Sequence, residues 1–324
     1  MSKSSNSKIN NAVQMNTNTK ELQVSVNMSA NVVHILSCII ITIIIIGLIM
    51  KYAYKNDKPV CTDYIFNSYL YIILTICIML IIIIINNETN IFTAFMILLL
   101  SGGKMQTCGI IILIFVILIY SFRFWFPYIN PEETYKLHFA YILLTSFIAI
   151  TLCFFKFDIA NALNNPASVF IMLSDILVIG GIWTIAIVII VGLVCNNYID
   201  ILQQFEWNFY AKHLLFAFIV YCLVGVIFIT DSDKLKFFIS VGVILGYILL
   251  IVMLIDNHIN IVSHSKICGN PLMPLPNYPL EGLGLVMRIR RYITDLLLLF
   301  GTYGYNNLSL SYLNPTTTNA IIKS

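Results

Sequence analysis

Long apolar runs separated by short polar stretches are the dominant pattern of this chain. A helix needs about 20 apolar residues to cross the hydrocarbon core of a bilayer. Six runs come close to or exceed that length, at residues 32–50, 64–85, 137–155, 167–195, 212–230 and 236–255. The pattern therefore predicts an all-α fold, a polytopic bundle of transmembrane helices joined by short loops.

A further apolar region, residues 91–122, is interrupted by the stretch SGGKMQTCG. It forms either two short spans, 91–100 and 109–122, or one span broken at Gly102 and Gly103. Broken helices at membrane depth are tolerated only where they line protein or a water-filled cavity. We favour two short spans, which brings the expected number of spans to about eight.

Polar stretches flank the bundle, which we assign to residues 32–255. Residues 1–31 are rich in Ser and Asn and are predicted to be a disordered tail. Residues 256–282 are a polar and proline-rich linker, and residues 304–324 are a polar C-terminal tail. Between them, residues 283–303 carry three arginines and an aspartate among apolar residues, which is typical of an amphipathic helix that is re-entrant or lies in the membrane interface.

Residues 199–210 form a second amphipathic stretch. Ile199, Leu202, Phe205, Trp207 and Phe209 alternate there with the acids Asp200 and Glu206. Aromatic residues of this kind are enriched at the boundary between membrane and water. We expect this stretch to lie flat in the interface.

The composition supports a membrane protein. Of the 324 residues 59% are hydrophobic and 10% are charged, and the mean hydropathy is +0.90, whereas a soluble domain has about 25% charged residues. The bilayer is thus the expected partner, and protein partners are not indicated. The net charge of +3 gives no reason to expect nucleic acid. Basic residues are slightly more frequent on the N-terminal side of the spans, which predicts that both termini are cytoplasmic.

The positions of the eight cysteines indicate a packing role rather than a disulfide or metal site. Six lie inside apolar runs, no C-x-x-C motif occurs, and only Cys61 and Cys268 fall clearly in loops. A disulfide or metal site is the alternative, but small apolar packing residues are the preferred interpretation. No metal site or cofactor is predicted.

Asp175 is the most conspicuous polar residue, because it lies inside the run 167–195. A charged aspartate at a helix centre costs about 2.5–3.5 kcal/mol on insertion scales. At 1.5 Å per residue from Pro166, Asp175 is about 13 Å deep, near the midplane. It either faces a water-filled path as a proton or cation site, or forms a hydrogen bond to a neighbouring helix as a neutral carboxyl.

Two further groups of polar residues follow the last long span. Asp256 and His258 stand where the helix leaves the membrane; they are either a proton or ion site or ordinary polar residues at a helix end. In the terminal segment, Arg291 and Asp295 have the spacing of a helical pair, which would act as a latch over a pore. Alternatively the arginines contact anionic lipid headgroups; they are Arg288, Arg290 and Arg291.

Four glycines are predicted to let helices approach closely. Gly180 and Gly181 follow Asp175, and Gly242 and Gly246 form a G-x-x-x-G motif. The sequence contains no Walker loop, nucleophile elbow, H-E-x-x-H or dinucleotide-binding glycine pattern. We therefore do not expect an enzyme.

The last third of the chain resembles Bax-inhibitor-type membrane proteins over about 70 residues. That resemblance rests on LIDNHINI, which ends a late span in Asp256, and on RYITDLLLLFG, which supplies Asp295 as a second acid. It implies an acidic pair that gates a calcium leak. The chain departs from the family pattern at Asn257 and His258, which replace Thr and Gln, and in its long proline-rich linker.

The sequence thus predicts a non-enzymatic, multi-pass integral membrane protein whose role it does not specify. A proton or cation channel or carrier that uses Asp175, Asp256, His258 or Asp295 is one alternative, with the Bax-inhibitor-like leak as a form of it. A structural or assembly protein of the membrane is the other.

Overall fold

The computed structural model describes residues 35–89, 132–162, 166–228, 232–270 and 275–286, together with residues 129, 288, 289, 291, 292 and 295. These residues are mostly helical. The helices are α1 (Ile35–Tyr52), α2 (Tyr64–Thr89), α3 (Thr134–Ala162), α4 (Pro166–Asn197), α5 (Ile199–Leu202), α6 (Trp207–Phe228), α7 (Ser232–Ile267) and α8 (Tyr278–Gly282). The strands β1 (Tyr54–Lys55) and β2 (Lys58–Pro59) form a small hairpin between α1 and α2.

Six of the described helices are long and apolar enough to cross a membrane, which confirms the prediction of a multi-pass helical membrane protein. They are α1, α2, α3, α4, α6 and α7. Large apolar side chains remain exposed on them, as on Ile43 of α1 (63%) and Leu193 of α4 (66%), because such surfaces face lipid rather than water. The predicted spans 91–100 and 109–122 and both tails lie outside the described residues, so the number eight stays a prediction.

The helix α7 is longer than its predicted span. The apolar run ends at residue 255, yet the helix continues to Ile267 and takes in the first part of the predicted linker. It stops where Gly269 adopts a φ of +87°, a left-handed conformation that glycine tolerates and that commonly ends helices. Polar residues after position 255 lower the hydropathy but do not interrupt helical hydrogen bonding.

The hairpin is closed by a two-residue turn. Tyr54 pairs with Pro59 and Lys55 with Lys58. Asn56 and Asp57 in the turn have φ of 51° and 61°, as a type I′ turn requires, and Asn and Asp are among the residues that tolerate this region.

The described residues divide into two compact units. The first comprises those up to Val60 and those between Ile73 and Thr184; the second comprises those between Cys61 and Ile72 and those from Ile185 onward. In the first unit, the Thr75 and Tyr141 hydroxyls form a buried hydrogen bond of 2.7 Å, and Gly181 lies directly against the side chain of Leu80.

The core of the second unit joins α6, α7 and the terminal segment. Its buried members are Ala211, Leu215, Leu249, Met253 and Tyr292. The described residues from Gly284 to Asp295 are helical, and Tyr292 is 1% exposed. The first half of the predicted amphipathic segment 283–303 therefore packs on the bundle through an apolar contact.

Candidate functional site

Buried polar residues of the second unit gather on α7 and on the segment that follows α8. Asp256, Asn257 and His258 are 9%, 2% and 0% exposed, and Arg288 is 8% exposed. Buried charges in proteins are normally paired, because an isolated charge in a low-dielectric interior is costly. The partners of these groups therefore define the site.

Asp256 is bound by two residues of the terminal segment. The Arg288 guanidinium donates from Nη1 to Oδ2 of Asp256, and the Tyr292 hydroxyl donates to the same oxygen at 2.5 Å. Arg288 also donates from Nε to Oδ1 of Asn257 at 3.0 Å. We call Asp256, Asn257, Arg288 and Tyr292 the Asp256 cluster; it fastens the terminal segment to α7.

Burial changes the acid–base properties of the two partners of Asp256. It lowers the pKa of the Arg288 guanidinium to about 10 and raises the pKa of the Tyr292 phenol, because the charged form of each loses hydration. At neutral pH Arg288 therefore remains cationic and Tyr292 remains a neutral donor. Both can therefore donate a hydrogen bond to Asp256.

His258 lies next to the cluster but binds a different helix. Its Nδ1 is 2.9 Å from the Tyr69 hydroxyl of α2, and the two rings meet edge to face. Its Nε2 is buried and has no hydrogen-bond partner among the described residues. A buried nitrogen without a partner normally costs about 1–3 kcal/mol, so a water or another hydrogen-bonding group would be stabilised at this point.

Glu281 of α8 joins the start of α2 to the end of α7. Its Oε1 accepts a hydrogen bond from the Tyr64 hydroxyl at 3.0 Å and lies 2.7 Å from Nδ1 of His264. Beside it, Tyr278 stacks on Tyr71, and burial raises the pKa of the Tyr278 phenol to about 12. We call Tyr64, His264 and Glu281 the Glu281 clamp.

A disulfide joins Cys61 to Cys268, the residues just before α2 and just after α7. Their Cα atoms are 5.7 Å apart, within the range that a disulfide spans. The preference for packing cysteines is thus wrong for this pair, although it is right for the buried thiols, such as Cys77 and Cys195. The signal was present in the sequence, since these were the two cysteines placed in loops.

A cavity of about 440 Å³ opens beside Asp256. The turn between α5 and α6 supplies Phe205 and Glu206, α6 supplies Trp207, Phe209 and Lys212, and α7 supplies Asp256. The predicted interfacial stretch 199–210 therefore forms a wall of this cavity.

The other predicted site residues are placed as follows. Asp175 lies in α4, but its side chain is outside what the structure describes, as is all of Arg290. Asp295 binds Lys212 of α6 at 2.5 Å instead of the predicted partner Arg291, which is exposed. The two acids that the Bax-inhibitor resemblance pairs, Asp256 and Asp295, thus bind different cations.

Of the predicted packing glycines, Gly181, Gly242 and Gly246 lie against side chains of other helices. Gly242 and Gly246 of α7 face Tyr221 and Phe218 of α6; a Cβ added at these positions would lie 3.3 Å and 3.7 Å from the respective rings. Gly180 accepts a hydrogen bond from the Thr184 hydroxyl through its carbonyl.

The aromatic members of the site were not predicted from the sequence. Tyr69, Tyr278 and Tyr292 are fully or nearly fully buried, but tyrosines at helix ends in this chain are common and look interfacial. No spacing signal connects Tyr69 with His258, which lies 189 residues further along the chain.

Comparison with known proteins gives no match: no family model, no curated protein and no solved structure corresponds to this chain. The Bax-inhibitor resemblance therefore gains no support beyond the residues quoted for it.

Proposed function

We propose that this multi-pass membrane protein conducts protons or small cations, with Asp256 as the ion-binding carboxylate. One observation carries the proposal: a buried carboxylate on a membrane-type helix lines a cavity while Arg288 and Tyr292 bind its oxygen. Ionisable residues in membrane segments are costly and usually belong to ion pathways. The role is non-enzymatic.

In this arrangement Arg288 acts as a substitute for the transported cation. It supplies the positive charge that Asp256 needs when buried, since removing one member of a buried ion pair costs about 3–5 kcal/mol. A cation or proton that reaches Asp256 through the cavity can replace Arg288 and keep the carboxylate compensated. The described conformation is then the closed one.

Flux through proteoliposomes tests the proposal. Wild-type protein should carry protons or cations well above the rate of empty vesicles, and Asp256→Asn should lower that flux at least tenfold, because a neutral amide cannot bind the ion. Arg288→Gln should raise the flux several-fold, because it removes the competing cation. Asp200→Asn is the matched control, since it removes an exposed acid of α5 and should leave the flux unchanged.

Size-exclusion profiles in detergent verify that the variants are folded. The double variant Asp256→Asn/Arg288→Gln removes both charges together and should fold at least as well as either single variant. Wild-type flux equal to that of empty vesicles, or equal flux in Asp256→Asn and Asp200→Asn, would contradict the proposal.

A further inference from the structure

The cavity beside Asp256 has a wall that ion conduction does not use. The turn between α5 and α6 presents Phe205 and Glu206 to it, and the first turn of α6 presents Trp207 and Phe209. These residues belong to the stretch 199–210, which was predicted to lie in the membrane interface. Their chemistry indicates a ligand of a particular class.

The charges that line the cavity are balanced with one exception. Asp256 is bound by Arg288, and Lys212 is bound by Asp295 at 2.5 Å. Glu206 is exposed and forms no ion pair with any residue that the structure describes. Among the described residues, the cavity lining therefore carries one negative charge without a paired cation, which favours a cationic ligand.

The aromatic side chains add a preference for an organic cation. The rings of Phe205 and Trp207 meet edge to face with centroids 6.0 Å apart, and the Trp207 Nε1–H donates to the carbonyl of Leu202 at 2.8 Å, which fixes the indole. Tryptophan is the aromatic side chain that binds ammonium groups best, and clusters of aromatic rings recognise quaternary ammonium ligands.

The size of the cavity agrees with a molecule rather than a metal ion. Its volume of about 440 Å³ lies within the range of about 300–1,000 Å³ that small-molecule sites occupy. Among the described residues, no group of three or more His, Cys, Asp or Glu side chains is placed to hold a metal ion.

We infer that this cavity binds an organic ammonium group, with Glu206 as the counter-ion and with Trp207 and Phe205 as the aromatic wall. Free amines such as choline and the headgroups of choline lipids share this chemistry. The inference stands apart from the proposed ion conduction, because it rests on Glu206 and the aromatic residues rather than on Asp256.

Equilibrium dialysis of the purified full-length protein with labelled choline, in a maltoside detergent, tests the inference. We expect saturable binding that excess tetramethylammonium abolishes and an equal concentration of sodium does not. Glu206→Gln should weaken binding at least tenfold. Asp200→Asn, which removes a nearby exposed acid outside the cavity, should bind like wild type. Phe205→Leu, at a side chain that is 51% exposed, should weaken binding several-fold without unfolding the protein.

Protein reconstituted in nanodiscs separates the two sources of the ligand. Loss of choline binding in phosphatidylcholine discs, but not in phosphatidylglycerol discs, assigns the site to lipid headgroups. Choline binding that is retained in both kinds of disc assigns the site to free amines. Either result supports the inference. Absence of saturable binding in detergent, or equal affinity of Glu206→Gln and wild type, would overturn it, whatever the flux experiments show.

Discussion

At the scale of single residues, two glycines determine how closely α8 and the terminal segment approach their neighbours. A Cβ added at Gly282 would lie 2.8 Å from the backbone oxygen of Tyr71, and one added at Gly284 would lie 2.7 Å from Oδ1 of Asn257. Both distances are shorter than normal van der Waals contacts. The Asn257 oxygen is also the acceptor for Nε of Arg288, so Gly284 positions the Asp256 cluster.

We therefore expect Gly284→Ala to destabilise the protein by about 1–3 kcal/mol, since overpacking forces neighbouring groups to move. Gly47→Ala is a matched control, because a Cβ at this α1 position meets nothing within 4 Å. It should be neutral or stabilise by up to about 1 kcal/mol, as alanine is the better helix former. Chemical unfolding in detergent micelles measures the free energy of unfolding of both variants. Equal effects of the two substitutions would argue against the close approach at Gly284.

At the scale of elements, α2 and α7 are fastened together at one end by three independent contacts. The disulfide joins Cys61 to Cys268, the Glu281 clamp lies next to it, and His258 binds Tyr69 deeper in the same unit. The disulfide closes a loop with a sequence separation of 207 residues. Cross-links of this kind stabilise mainly by restricting the unfolded chain.

Reduction of the disulfide should lower the free energy of unfolding by about 2–4 kcal/mol. Wild-type protein treated with dithiothreitol should melt at a lower temperature than untreated protein. The variant Cys61→Ala/Cys268→Ala should have the same lowered melting temperature with or without reductant. A variant of the free, half-buried thiol, Cys222→Ala, should retain the response to reductant; an unchanged melting temperature of reduced wild type would refute the prediction.

At the scale of the whole molecule, the disulfide bears on orientation. Disulfides persist in oxidising compartments and are rare in the cytosol, so Cys61 and Cys268 should face away from the cytosol. The single span α1 separates Cys61 from the N-terminal tail, which we therefore expect in the cytoplasm. The disulfide also requires an even number of spans between Cys61 and Cys268, whereas the predicted eight spans would place seven there. The C-terminus lies in the cytoplasm with the N-terminal tail only if the segment after Cys268 crosses the bilayer once.

When the protein is expressed at the cell surface, labelling of intact cells with a membrane-impermeant maleimide checks this orientation. Cys268→Ser frees the Cys61 thiol, which should react without permeabilisation. Ser5→Cys in the N-terminal tail should react only after permeabilisation. The reverse pattern would place the disulfide on the cytosolic side and contradict the assignment.

The sequence alone determined the class of this protein and the positions of its long helices. Transfer of apolar residues into hydrocarbon is a local property that adds up along the chain, so each of the six described spans was readable from its own residues. Asp256 and His258 were also recognisable, because polar groups at the end of an apolar run are visible without knowledge of partners.

Only the tertiary structure decided what those residues bind. Arg288 is 32 residues from Asp256, Tyr69 is 189 residues from His258, and Cys61 is 207 residues from Cys268. Such pairs depend on how α2, α7 and the terminal segment pack, and no local pattern encodes that packing. The end of α7 was misjudged for a related reason: hydropathy reports where a helix leaves lipid, whereas helical hydrogen bonding continues until the backbone turns at Gly269.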